Sequence, residues 1–204
     1  MLPSIVPAEV IEALVAYAET APPGAFAEVG VYQGGTAWRL MQICHREGRA
    51  LHLFDTFAGI PDAEPIDRHG VGEFASDEAA VRRALPGAVF HVGVFPDTLP
   101  ADLGPLAFVH VDCDQRRSVA ACIEHLWPRL APGGVMWFDD YGALDGARAA
   151  IDAAFPAESL RPAPAGRCFV QKTSPNSTRK AHHARQSESP GRFRVAQTVR
   201  GTRR

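Results

Sequence analysis

Six short apolar runs punctuate the first 172 residues, and stretches with helical spacing separate them. The runs are AFAEVGV (25–31), ALHLFDT (50–56), VFHVGVF (89–95), LAFVHVDC (106–113), GVMWFDD (134–140) and CFVQK (168–172). Most are nearly continuous in apolar residues, the pattern of strands buried on both faces of a parallel sheet. Before and between them lie EVIEALVAYAE, TAWRLMQICHRE, SDEAAVRRALP, SVAACIEHLWPRL and GARAAIDAAF, which read as helices. Ser76 and Ser118 stand where two of these helices would take N-caps. Gly48 and Gly133–Gly134 stand where the chain would reverse after a helix. Strand–helix alternation of this length predicts a doubly wound α/β domain over residues 1–172.

Two stretches break the alternation. Residues 57–76, FAGIPDAEPIDRHGVGEFAS, are rich in Gly, Pro and acids and read as a long loop after the second strand, the kind that is usually functional or mobile. From Thr173 onward the chain is polar and basic, and residues 173–204 read as a disordered tail. That tail holds eight Lys/Arg and one Glu, whereas residues 1–172 hold 13 basic and 22 acidic residues. An acidic body therefore carries a basic tail. Its charge would attract nucleic acid only weakly and without sequence reading, so a nucleic-acid partner is not expected. No apolar run approaches the roughly 18–20 residues of a membrane span. The opening MLPSIVPAEVIEA lacks a basic leader, and Cys44, Cys113, Cys122 and Cys168 form no CxxC pair. A cytoplasmic protein with reduced, mostly buried thiols is the expectation.

The strand ends carry the chemistry. EVGVYQGGTA (28–37) surrounds a strand-to-helix turn, where glycines allow close approach and a helix N-terminus offers free N–H groups. Its G-x-x-x-G-G spacing is neither a GxGxxG fingerprint nor a phosphate loop, which counts against NAD(P). Asp55 ends the second strand, where a carboxylate can accept both hydroxyls of a ribose. Gly93, Asp97 and Thr98 follow the third strand, where a nucleoside base would lie; a plain loop explains them nearly as well. The fourth strand ends in VHVDCDQ and the fifth in FDDYG. If these strands are neighbours, Asp112 converges with Asp139 and Asp140 at the carboxyl edge of the sheet, where such folds bind ligands. Three carboxylates in one cleft, with no basic residue in either motif, ask for a cation. All-oxygen ligation suits Mg²⁺, Mn²⁺ or Ca²⁺. His110 reads as a packed strand histidine and Arg116–Arg117 as a charged helix start.

In order and spacing, EVGVYQGGTA, LHLFDTFAGIP, GVFPDTLP, FVHVDCD, WPRLAPGGVM and FDDYG resemble the TylF/MycF type of macrocin O-methyltransferase. The resemblance covers about residues 24–172. It implies a mostly parallel, seven-stranded, Rossmann-like methyltransferase sheet with helices on both faces. It further implies an enzyme that moves a methyl group from S-adenosylmethionine (SAM) to a hydroxyl of a small molecule, a sugar or other natural product. Carried over by residue, Glu28, Gly30 and Gly34 resemble the methionine-side loop and Asp55 the ribose ligand. Gly35, Thr36, Thr56 and Asp97 complete the cofactor contacts. Asp112, Asp139 and Asp140 resemble the ligands of Mg²⁺ or another divalent cation, with Asp112 also the base. The chain departs from the family at Gln115–Arg116, where a hydrophobic–aromatic pair is usual, and in having fewer than thirty residues before the first strand. Both departures touch the acceptor side.

Two other readings compete: an oxidoreductase with a nucleotide cofactor on the same fold, and a non-catalytic module of that fold. The missing GxGxxG speaks against the first and the intact carboxylates against the second. The sequence leaves a homo-oligomer open.

Overall fold

A computed structural model describes Leu2 and residues 4–173. Seven strands form one sheet: β1 (Ala25–Val29), β2 (Leu51–Asp55), β3 (Val89–Val92), β4 (Leu106–Val111), β5 (Leu130–Phe138), β6 (Arg161–Pro162) and β7 (Cys168–Gln171). Their order is β3-β2-β1-β4-β5-β7-β6. The first five are parallel and β7 runs antiparallel to β5 and β6. The helices are α1 (Ala8–Glu19), α2 (Gly35–Glu47), α3 (Glu78–Ala84), α4 (Arg116–Leu126) and α5 (Asp145–Ala154). Both the doubly wound α/β class and the adjacency of β4 and β5 are as the sequence predicts.

The pleat explains why the runs are apolar on neighbouring residues rather than on alternate ones. Phe26, Phe108 and Trp137 pack on the α1–α2 face. Their chain neighbours Ala27, Val109 and Met136 pack on the α4–α5 face. Each of these six side chains is fully buried. At about 1.5–3 kcal/mol for each large side chain removed from water, the two layers hold the sheet rigid. That rigidity lets its carboxyl edge present side chains at fixed spacing.

Several details differ from the sequence reading. Asp77, not Ser76, caps α3 by accepting from the Ala80 N–H (3.0 Å). The Ser76 hydroxyl donates instead to the Tyr32 carbonyl. Helix α4 begins two residues before Ser118, after Gln115, with no side-chain cap. Gly133 and Gly134 lie inside β5 rather than in a reversal, Gly133 at a φ of 85°. The loop over residues 57–76 is free of helix and strand, as expected. The tail expectation falls on residues outside those described. Among the described residues no helix is long and apolar enough to cross a membrane.

Candidate active site

A cleft opens at the carboxyl edge of β1, β2 and β4, where such sheets bind ligands. Glu28, Gly30, Gly35, Thr36, Asp55, Thr56 and Asp112 line it, together with Gly93, Val94 and Phe95 after β3. Gly34 and Asp97, two of the expected cofactor contacts, do not. Gly34 takes up a left-handed φ of 81° at the N-cap of α2 and faces Leu2, Val81 and Leu85. Gly30 lines the cleft, but its missing side chain first serves the fold: a Cβ there would collide with the Asp112 carbonyl.

Asp55 has more partners than a ribose ligand needs. Its Oδ2 accepts the N–H groups of Val31 (2.6 Å) and Tyr32 (2.8 Å), and its Oδ1 accepts that of Phe57 (2.7 Å). Tyr32 and Phe57 both have positive φ, 50° and 55°. The carboxylate therefore holds two turns that an L-residue disfavours. A carboxylate offers about four acceptor positions, so room remains for a hydroxyl.

Below the cleft runs a chain of buried charge. His110 is fully buried between two carboxylates, its Nδ1 3.0 Å from Glu28 Oε1 and its Nε2 3.8 Å from Asp139 Oδ1. Burial alone would lower its pKa, but Asp139 and Glu28 together raise it well above the usual histidine value. The sequence reading of a packed strand histidine is right about its burial and misses its partners. Burial raises the Glu28 pKa. Its other oxygen, Oε2, is buried without a partner in a residue that lines the cleft. A cationic group such as the ammonium of an amino acid would satisfy it.

Asp112, which lines the cleft, clusters with Asp139 and Asp140, which do not: each of the three brings an oxygen within 4.8 Å of the others. Burial and the charges of Asp139 and Asp140 raise the Asp112 pKa well above its usual range. Burial, Asp114 and Asp139 raise that of Asp140 to about 7. Such shifts are the signature of crowded carboxylates lacking a counter-charge. Asp139 is the exception. Its pKa is lowered, because His110 and Arg167 outweigh its burial. Arg167 grips Asp139 Oδ2 through Nε (3.2 Å) and Nη2 (2.8 Å). The FDDYG motif thus has a basic partner after all, brought in from the turn just before β7. Asp139 Oδ1 stays buried and without a hydrogen bond. Hard, all-oxygen and short of positive charge, the trio fits a divalent cation.

Asp114 lies beside the trio. It does not follow the pleat of β4, having turned to a φ of 60°, and its N–H donates to Asp140 Oδ2 (3.2 Å). It lines the cleft, and burial with the Asp139 charge lifts its pKa to about 6. The second acid of the DCD motif was the available signal for it.

The loop over residues 57–76 closes one wall, contributing Gly59, Ile60, Pro61 and Phe74. The departures at Gln115–Arg116 tie it down. The buried Gln115 amide donates to the His69 carbonyl (2.9 Å). Arg116 pairs with both oxygens of Glu64 (2.7 and 2.8 Å), and its N–H donates to Asp67 Oδ1 (2.9 Å). Arg117 reaches Asp62 (3.1 Å) and Glu64 (3.2 Å). These arginines answer acids of their own chain. Asp67 also nestles against Gly146 in the first turn of α5, where a Cβ would strike its Oδ1.

Residues 8–162 match the family described as Macrocin-O-methyltransferase (TylF). The chain belongs to that family. It is 32% identical over 149 residues to an 8-demethyl-8-(2,3-dimethoxy-alpha-L-rhamnosyl)-tetracenomycin-C 4'-O-methyltransferase of Streptomyces olivaceus, covering 63% of this chain and 57% of that protein. It is 31% identical over 141 residues to a mycinamicin III 3''-O-methyltransferase of Micromonospora griseorubida, covering 58% and 56%. The chain thus spans little more than half the length of these relatives. Among solved structures it resembles the O-methyltransferase NovP, with 26% identity, a TM-score of 0.67, and coverage of 81% of this chain and 77% of that one. The calicheamicin methyltransferase CalS11, at 22% identity and a TM-score of 0.69, shares the fold. So does TomG at 15% identity and a TM-score of 0.57, a structure that contains SAM.

Proposed function

We propose that this TylF-family chain transfers a methyl group from SAM to a hydroxyl of a small natural-product acceptor, of which a sugar hydroxyl is the leading class. In our reading Asp112, Asp139 and Asp140 hold a divalent cation. The observation that carries the reading is a cleft lined by both Glu28, whose Oε2 is buried without a partner, and Asp112, a member of the acid trio. The family and the named activities of the two relatives support the methyl-transfer class.

SAM, which Glu28, Asp55, Gly35 and Thr36 would hold, would supply a sulfonium methyl for the acceptor oxygen, leaving as a neutral thioether when its carbon–sulfur bond breaks. A cation held by Asp112, Asp139 and Asp140 would supply fixed positive charge able to lower the pKa of an acceptor hydroxyl. The chain's own residues do the rest. Glu28 receives the ammonium, and Asp55 holds the Val31–Tyr32 turn while taking a ribose hydroxyl with its spare lone pairs. Gly35 and Thr36 open α2 next to the cofactor, with Thr56 and Gly93 on the nucleoside side. Asp112 would be committed to the cation, so Asp114 is the better-placed acceptor of the hydroxyl proton. Its raised pKa suits a base working near neutrality. Holding both reactants on one rigid sheet edge supplies much of the acceleration.

Calorimetric titration with SAM, its demethylated product and NAD⁺, with and without Mg²⁺, tests the reading together with a methyl-transfer assay on a rhamnoside. SAM should bind, NAD⁺ should not, and EDTA should stop turnover while leaving SAM affinity nearly intact. Asp112→Asn should lose the cation, whereas Asp114→Asn should keep it and lose turnover. Tight NAD⁺ binding without SAM binding would end the methyltransferase reading, and full turnover in EDTA would end the cation's role.

A further inference from the structure

Arg167 lies outside every motif that carries the family resemblance, yet the sheet delivers it to the acid trio. In the antiparallel ladder Phe138 pairs with Cys168, so the next cross-strand pair beyond it is Asp139 with Arg167. The turn that launches β7 fixes its approach. Ala165 and Gly166 both have positive φ, 52° and 78°, and the Ala165 carbonyl accepts from Arg167 Nη1 (2.9 Å). This turn packs against the turn of FDDYG through paired glycines: a Cβ at Gly142 would meet the Gly166 carbonyl oxygen at 2.6 Å. The segment carrying Asp139 and Asp140 and the segment carrying Arg167 are therefore docked backbone to backbone.

From this geometry we infer that Arg167 is a positioning residue for cation binding, fixing Asp139 by one oxygen so that the other is free to ligate. The inference rests on the proposed cation role of the acid trio. Two donors of the guanidinium fall on the same atom, Asp139 Oδ2, and a third is held by Ala165, which leaves the group no freedom to turn. Oδ1 is left buried and without a hydrogen bond, with His110 Nε2 3.8 Å away. An arginine that merely stood in for a missing cation would reach into the trio as a whole. Among the described residues Arg167 hydrogen-bonds neither Asp112 nor Asp140. Its arrangement is that of an outer partner orienting a ligand, with a planar fork that lysine cannot reproduce.

The test is calorimetric titration of the full chain with MgCl₂, and with MnCl₂ followed by electron paramagnetic resonance, for wild type, Arg167→Met, Arg167→Gln and Arg167→Lys. Arg167→Met should weaken cation binding on the order of 10–100-fold, the usual effect of losing an outer partner, with SAM affinity unchanged. Arg167→Lys should fall between it and wild type. If Arg167→Met unfolds, Arg167→Gln, which keeps one donor, should give the same direction of change. Unchanged or tighter cation binding in the folded variants would overturn the inference and make Arg167 a simple counter-charge. Absence of cation binding by wild type would remove the cation reading itself and this inference with it. The two failures are thus told apart by the wild-type titration.

Discussion

The two halves of the sheet edge treat negative charge in opposite ways. On the β1–β2 half, Asp55 accepts from three backbone N–H groups and holds two strained turns in place. On the β4–β5 half, Asp112, Asp114 and Asp140 crowd together with raised pKa values, and of the four acids there only Asp139, beside His110 and Arg167, has its pKa lowered. A satisfied carboxylate is scaffolding, and removing it should cost the fold. An unsatisfied cluster is a demand for something else, and removing one member should relieve the fold while ending the function.

The largest effect should come from the unsatisfied half. Asp112→Asn, which should lose the cation, is expected to remove most of the methyl transfer, because the cation's charge stabilisation goes with it. In EDTA the same substitution should raise the thermal midpoint, because one of several repelling charges is gone. A fall in that midpoint would show that the trio is already balanced, and the contrast would collapse. Next comes the satisfied half. Asp55→Ala strands three N–H groups and should lower stability by about 2–3 kcal/mol, read by urea unfolding. A smaller loss would mean that water replaces the carboxylate and that the turns hold themselves.

Weaker effects test the loop that spans the cleft. Arg116→Ala removes an exposed ion pair and should barely move the thermal midpoint. It should, however, hasten proteolytic cleavage within residues 57–76 several-fold, because the Glu64 tie is lost. The smallest effect lies far from the acids, at the β2–β3 edge, where His52 Nδ1 sits 3.0 Å from His91 Nε2. Burial lowers both pKa values, and the neighbouring histidine lowers that of His52 further. The unfolded chain therefore takes up protons at these two sites before the folded one does. Their contribution to stability is complete above the ordinary histidine value and declines as pH falls below about 6.5. A His52→Gln, His91→Gln variant should lose less of its thermal midpoint between pH 7.5 and 5.5 than wild type. Equal losses would assign the acid sensitivity to other groups.

Much of this was legible in the sequence, and the rest was hidden for identifiable reasons. Strands buried on both faces announce themselves as apolar runs, so β1 to β5 and β7 were visible. The two-residue β6 has no such pattern. The acid trio was legible because its members sit at the ends of recognisable strands. Arg167 and the partners of His110 were not, because they depend on the register of neighbouring strands, which periodicity does not fix. Asp55 was visible as a strand-end acid, but its three N–H donors come from turns whose shape no propensity reveals. Gly133 looks like a helix terminator and turned out to kink β5, since a glycine signals an unusual φ without saying which element needs it.

The contact between Asp67 and Gly146 has a consequence for what evolution or an engineer can do with this chain. By helix propensity alone, alanine at position 146 would improve α5 by roughly 0.5–1 kcal/mol. The methyl group would displace the Asp67 carboxylate, which also accepts the Arg116 and Glu64 N–H groups. Losing those two hydrogen bonds costs about as much as the helix gains, so an alanine chosen by propensity should bring no net stability. Position 146 is held as glycine by the loop that meets it, not by its own helix.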